Sequence, residues 1–172
     1  VTVNQLAKDE SEVKTLKVGQ LTEDGLGMIF WVDPDNQEAG KAISLERWGG
    51  NPFEASIKLH NAFSMVNGIE NTALYTDAGN NDAAALCTNL GEGWYLPASE
   101  ELGHLFDIYN GIARDNGFTN ATPNQISDAE KASRATFDKN LTDLGGAVIN
   151  AAAENGNGES YWSSTENEDG QK

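Results

Sequence analysis

The stretch GEGWYLPASEELGHLF, residues 91–106, predicts a tight corner between two helices. Its apolar burst ends at Pro97, which has no N–H to give a ladder and which favours an extended conformation at Leu96. We therefore predict a short strand over GWYLP. Side chains alternate along a strand, so Trp94 and Leu96 should point into the core and Tyr95 to the other face.

Two helices are predicted to flank this corner. The first runs through AAALCTNL, with Asn81 or Asp82 as its cap, and ends near Gly91. The second is predicted to begin with Ser99 as the capping residue and to end at Gly111. Its apolar residues recur at helical spacing and should face the core; they are Leu102, Leu105, Phe106 and Tyr109.

A third helix is predicted from the SDAE sequence, where Ser127 and Glu130 have the spacing of a capping box. It should run to about Leu144 and bury Phe137, Leu141 and Leu144 on one face. The GGAVINAAAENGNGES sequence that follows is rich in glycine and predicts a loop. YWSST, residues 161–165, then predicts a final strand.

The amino-terminal part predicts a β-rich unit. Three segments read as strands: 13–20, 26–33 and 41–48. Turns are expected at Glu23-Asp24-Gly25 and around Asp35-Asn36. Residues 49–80 predict mainly loop, with a short, poorly capped helix over 55–63. Residues 1–12 are interpreted as a leader or linker, and 13–172 as one domain.

Composition narrows the possible functions. The chain has 172 residues, a mass of 18.4 kDa and a formal net charge of -16. Such a charge repels phosphate groups, so nucleic acid and anionic lipid surfaces are disfavoured as partners. Cys87 is the only cysteine, which excludes an intrachain disulfide. No apolar run approaches the ~20 residues of a membrane span, and Val1 in place of Met suggests that a targeting segment has been removed.

The pair of segments LCTNLGEGWYLPASEEL and YWSSTE resembles the Lcl C-terminal-domain family, a domain of unknown function in bacterial surface proteins. The upstream VGQLTEDGLGMIFWVD and KAISLE sequences are similar to the leading hairpin of that family. The resemblance covers roughly residues 16 to 168. Each motif alone would be weak, but the pair at this separation is fairly specific.

The resemblance implies an α+β, C-type-lectin-like fold with a small twisted antiparallel sheet flanked by two or three helices. Relatives in this branch include formylglycine-generating enzymes and receptor-binding variable proteins. Family members continue past WSST with an aromatic strand that closes the sheet, whereas this sequence ends at ENEDGQK. We expect that final strand either to lie beyond residue 172 or to be supplied by another subunit through strand addition.

No catalytic or metal-binding pattern is apparent. Cys87 lies on the apolar face of an Ala-rich helix without a basic neighbour, so a volume-filling role is expected. His60 and His104 stand singly and give no zinc spacing. Asp33, Asp35 and Gln37 alternate like the start of a calcium loop, but the Gly and Glu that such a loop needs are missing. A turn is predicted there, and calcium is not supported by any motif.

We therefore predict a non-catalytic, extracellular binding or adhesion module of a bacterial surface lipoprotein, adhesin or pilus, with a glycan or protein as its partner. Trp162 is predicted to share a core with Trp94. The expected contact surface contains aromatic and amide groups; its residues are Asn155, Asn157, Tyr161, Glu166 and Asn167. Two alternatives stay open: an assembly domain completed by a partner strand, and an enzyme of the formylglycine-generating type.

Overall fold

A computed structural model describes residues 15–48, 59–77, 82–112, 127–149 and 161–167. Within these ranges the chain has an α+β architecture, with one two-stranded antiparallel sheet and four helices. The strands come first and the helices follow. The α+β part of the predicted fold class is therefore confirmed.

The sheet is a hairpin of β1 (Gly27–Val32) and β2 (Gly40–Ser44). Ile29 pairs with Ala42 and Trp31 with Lys41, so the register shifts at Phe30, which is an irregularity typical of a β-bulge. The connection is the predicted turn. There the Asp33 carboxylate accepts from the N–H of Asp35 at 2.9 Å, as in an Asx turn.

The prediction of a strand over 13–20 is wrong for the residues from 15 onward. This segment reaches the sheet only at an isolated bridge between Leu21 and Met28. A turn intervenes, in which the N–H of Gln20 donates to the Lys17 carbonyl at 3.1 Å. Gly19 has a φ of 83°, which other residues rarely adopt, so the chain cannot stay extended there.

The four helices are α1 (Gly68–Asp77), α2 (Asp82–Thr88), α3 (Ser99–Asn110) and α4 (Asp128–Asp143). α4 has the predicted capping box, because the Ser127 hydroxyl accepts from the N–H of Glu130 and the Glu130 side chain accepts from the N–H of Ser127. α3 ends at Gly111 with a φ of 66°, also as predicted. α1 lies in a region that was predicted to be mainly loop, so that prediction is wrong there. A helix was expected over 55–63, but residues 59–63, the part that the structure describes, are not helical.

The start of α3 corrects one detail. Ser99 is the first helical residue, and Ala98 occupies the capping position. The Glu101 side chain accepts from the Ala98 N–H at 3.0 Å, which satisfies one N–H group near the helix start. The Ser99 hydroxyl is buried and has no hydrogen-bond partner in the part of the chain that the structure describes.

The buried side chains form two clusters. One joins β1, α3 and α4, and its buried members are Met28, Phe30, Tyr109, Phe137, Leu141 and Ile149. The other joins α1, α2 and the corner, and its members are Ala62, Tyr75, Ala83, Ala84 and Leu96. None of the described helices has the length and apolar character that crossing a membrane requires.

GWYLP and YWSST were both predicted to be strands, and both predictions are wrong. Backbone groups of both segments bond to side chains and to single carbonyls instead of to a neighbouring strand. The N–H of Leu96 donates to the Thr72 hydroxyl at 3.0 Å, and the N–H of Ser99 donates to the Thr165 hydroxyl at 2.9 Å. Hydrogen bonds to side chains thus take the place of strand-to-strand hydrogen bonds in these two segments.

Candidate functional site

The two segments that were expected to meet do lie against each other. The N–H of Ser164 donates to the carbonyl of Pro97 at 2.8 Å. The hydroxyl of Thr165 accepts from the N–H of Ser99 and donates to the carbonyl of Ser64 at 2.8 Å. The 161–167 segment is therefore fixed against the corner by its main chain and small hydroxyl groups.

Helix α1 supports this contact with a polar face. Asn71 is buried, and its amide group donates to the Ser64 carbonyl at 2.7 Å and to the Ser164 hydroxyl at 3.2 Å. The Tyr75 hydroxyl donates to the Ser164 carbonyl at 3.0 Å. Thr72 both donates to and accepts from the backbone of Leu96. Buried polar atoms of α1 therefore hold both segments in place.

Glu166 was predicted to belong to an exposed contact surface, and this is wrong because its exposed fraction is only 4%. Its carboxylate accepts from the N–H groups of His60, at 2.9 Å, and of Ala62, at 3.2 Å. Its own N–H donates to the Ala62 carbonyl. A buried carboxylate destabilises the fold unless it is hydrogen-bonded. The bonds of Glu166 meet this requirement and attach its segment to residues 60–62.

The aromatic pair Tyr161 and Trp162 has the opposite orientation to the predicted one. Tyr161 packs against the first cluster, with its ring 5.8 Å from that of Phe106. Trp162, predicted to be core, is 47% exposed. The alternation argument fails because the segment is not a strand: Trp162 is exposed while Ser164, two residues later, is fully buried.

Trp94 is half-buried against the hairpin. Its ring covers Gly27, and its indole N–H donates to the Asp24 carboxylate at 2.8 Å. Hydrogen bonds from Thr22, from the N–H of Leu26 and from Trp94 lower the pKa of Asp24. Trp94 belongs to neither buried cluster, so the predicted common interior of Trp94 and Trp162 is wrong.

The other residues that were predicted to be core are buried or partly buried. Leu96 and Leu102 are buried, as predicted, and Leu96 belongs to the second cluster. Leu105 and Phe106 are partly buried and pack against the first cluster. Of the other predicted contact residues, Asn167 is exposed, and Asn155 and Asn157 lie outside the described residues.

Glu101 was not predicted to be a site residue, but its carboxylate accepts four hydrogen bonds. One carboxylate oxygen accepts from Lys41 and from the Tyr95 hydroxyl, each at 2.8 Å. The other accepts from the N–H groups of Gly68 and Ala98, each at 3.0 Å. One carboxylate thus joins β2, the start of α1, the corner and α3.

The environment of Glu101 shifts two ionisation equilibria. Burial favours its neutral form, but hydrogen bonds from Lys41, Ala98 and Tyr95 outweigh that effect and lower the pKa of Glu101. Burial, together with the neighbouring carboxylate, raises the pKa of the Tyr95 hydroxyl. With every oxygen engaged inside the fold, this group is structural.

The candidate reactive residues also have structural settings. Cys87 packs against the second cluster, and burial raises its pKa to about 11, so its thiol stays protonated near neutral pH. The His104 ring packs edge-on against Trp31 with a centroid distance of 5.4 Å. Among the described residues, no group of three or more His, Cys, Asp or Glu side chains is arranged to hold a metal ion.

Comparison of the chain with known protein families, curated protein sequences and solved structures gave no match.

Proposed function

We propose that this chain is a C-type-lectin-like, non-catalytic binding module of a bacterial surface protein, and that it contacts a glycan or protein through its carboxyl-terminal segments. The observation that carries the proposal is the exposed ring of Trp162 beside Ser164 and Thr165, which are hydrogen-bonded to the corner. An aromatic side chain has only two side-chain torsions, so it loses little conformational entropy when a sugar face or an apolar side chain stacks on it.

Two further points support the proposal. The segments that carry the family resemblance contact each other directly, so they are parts of one structural unit. Cys87, the single cysteine, has its pKa raised to about 11 by burial. A formylglycine-generating reaction would need a reactive thiol, and this environment does not favour one.

Binding to arrays of glycans and of immobilised surface proteins tests the proposal. The Trp162→Ala variant should lose binding of any ligand found, because the stacking surface is removed. Trp48→Ala is the matched control, since Trp48 is also an exposed tryptophan, at 37%. Equal binding by wild type, Trp162→Ala and Trp48→Ala would contradict the proposal.

We also propose that binding requires no metal cofactor. Chelation with EDTA should then leave the array signal unchanged, whereas a calcium-dependent lectin would lose it. The Asp33 turn, where a calcium loop was considered, already uses its carboxylate to bond the N–H of Asp35.

The alternative of an assembly domain is favoured by one observation. Within the described residues the sheet has only two strands, so an added strand could pair with the outer edge of β2 (Gly40–Ser44). Light scattering distinguishes this alternative. A monomer whose melting temperature does not change when a candidate strand peptide is added would argue against it.

A further inference from the structure

Helix α1 differs from an ordinary amphipathic helix, because its buried face carries two polar side chains beside Tyr75. It buries Asn71 and Thr72, and it exposes Ile69 to 62% and leaves Leu74 exposed as well. The buried polar groups are satisfied by the contacts to Ser64, Ser164 and Leu96 described above. The exposed apolar groups have no such explanation, and a surface of this kind typically marks an interaction site.

Exposed apolar side chains also precede α1 in the sequence. We define the apolar ridge as the exposed side chains Phe63, Met65, Val66 and Ile69. Its backbone is held in place, because the Met65 carbonyl accepts from the N–H of Glu100 at 2.9 Å and the Ala62 carbonyl accepts from that of Glu166 at 2.8 Å. The ridge is therefore preorganised, which lowers the entropic cost of binding.

The charge around the apolar ridge restricts its partner. Residues 59–112 contain seven Asp and Glu residues and no Lys or Arg. Exposed Glu70 lies within the ridge sequence, and exposed Glu100 is bonded through its N–H to Met65. A second copy of the chain, with its net charge of -16, would be repelled. A partner with positive charges beside its apolar groups would be attracted.

We propose that the apolar ridge is a docking surface for a basic, amphipathic polypeptide segment of another protein. Apolar side chains of that segment would cover Val66 and Ile69, and its Lys or Arg side chains would lie near Glu70 and Glu100. This surface goes beyond the binding function proposed for Trp162, because it uses different residues and a different chemistry of recognition.

A nuclear magnetic resonance titration of the isotope-labelled chain tests this proposal. The probe is a synthetic amphipathic peptide of Leu and Lys, compared with one in which Glu replaces Lys and one in which Ser replaces Leu. The Leu-Lys peptide should change the chemical shifts of the backbone amides of residues 63–74, and neither comparison peptide should do so. Because binding needs the charge attraction as well as the apolar contact, added salt should weaken the binding by screening the charges.

Variants of the chain sharpen the test. The double variant Val66→Ser/Ile69→Ser should bind the Leu-Lys peptide at least about tenfold more weakly, because it removes two exposed anchors. Val18→Ser/Val148→Ser is the matched control, since it removes exposed apolar groups elsewhere, and should bind like wild type. If the first variant fails to fold by circular dichroism, Glu70→Lys/Glu100→Lys replaces it and should also weaken binding.

Three outcomes would overturn the proposal. Shifts spread over the whole acidic surface, or equal binding by wild type and ridge variants, would mean general charge attraction. Sedimentation showing a wild-type dimer that Val66→Ser/Ile69→Ser dissociates would mean that the ridge pairs with a second copy. The Trp162→Ala variant should bind the peptide normally, so failure of this proposal and failure of the Trp162 proposal are distinguishable.

Discussion

The carboxylate of Glu166 accepts hydrogen bonds from the backbone N–H of His60, at 3.1 Å to one oxygen and 2.9 Å to the other. These residues are far apart in sequence, and both are buried. The contact ties the last described segment of the chain to the residues that precede α1. The Glu166 side chain thus contributes a long-range constraint, beside the bonds from Thr165 to Ser64 and from the Glu166 N–H to Ala62.

Replacement of Glu166 should lower the free energy of unfolding. Glu166→Gln puts an amide donor where an acceptor is needed, and Glu166→Ala leaves the N–H groups of His60 and Ala62 without this partner. Each change is expected to cost about 1–3 kcal/mol, measured by urea unfolding. Glu100→Gln, at an exposed position, is the control and should change stability by less than about 0.5 kcal/mol.

The hydrogen bonds of Glu101 should make the folded chain less stable in acid. Its pKa in the folded chain lies below the ordinary value of 4.5, so its stabilising contribution is complete above that pH and is lost as pH falls through the lower, folded-state pKa. Urea unfolding between neutral pH and pH of about 3 should show a shallower acid decline for Glu101→Gln than for wild type. An identical pH dependence of the two proteins would contradict this role for Glu101.

Gly27→Ala should destabilise the hairpin. A Cβ atom at this position would lie 2.3 Å from the Trp94 ring and 2.8 Å from the Ile43 carbonyl oxygen. We expect a loss of about 1–3 kcal/mol, from overpacking, in thermal or urea unfolding. The double variant Gly27→Ala/Trp94→Ala removes the clash with the ring, so its loss should be smaller than the sum of the two single losses.

Replacement of Tyr161 should lower stability more than replacement of Trp162. Tyr161→Ala removes a ring packed on Phe106 and should cost about 1–3 kcal/mol. Trp162→Ala, at an exposed position, should cost less than about 0.5 kcal/mol. A larger loss for Trp162→Ala than for Tyr161→Ala, measured by the same unfolding experiment, would contradict these orientations of the two rings.

Cys87 should react slowly with alkylating reagents while the chain is folded. With its pKa raised to about 11, only about one thiol in a thousand is ionised at pH of about 8. Iodoacetamide labelling followed by mass spectrometry should show a large rate increase in urea. Rapid labelling of the folded chain would contradict the protecting role of burial.

Local signals predicted the elements that depend on local chemistry. The capping box of α4, the Gly111 terminus of α3 and the turn at Asp33 all arise from residues within a few positions of one another. Such features can be read from one sequence, because capping and turn preferences act over one or two turns of backbone.

The errors came from contacts between distant residues. α1 was missed because its buried face carries Asn71 and Thr72, whose polar groups bond to distant residues: Asn71 to Ser164 and Thr72 to Leu96. Apolar periodicity, which predicts an amphipathic helix, is absent from such a face. A hint was available in Asn67 and Glu70, since the Asn67 side chain accepts from the N–H of Glu70 as a cap would.

The orientation of Tyr161 and Trp162 could not be read from alternation either. Both side chains belong to a segment whose course is set by bonds to Pro97, Ser99 and Ala62. No pattern within YWSST contains those partners. Which of the two rings faces outward therefore depends on tertiary contacts.

The lack of basic residues across 59–112 has a consequence for proteolysis. Trypsin cleaves after Lys and Arg, and the flanking sites are Lys58 and Arg114. Every buried member of the second cluster falls between them. Tryptic digestion should therefore release α1, α2 and α3 together as one fragment, with the side chains of that cluster still joined by a continuous backbone.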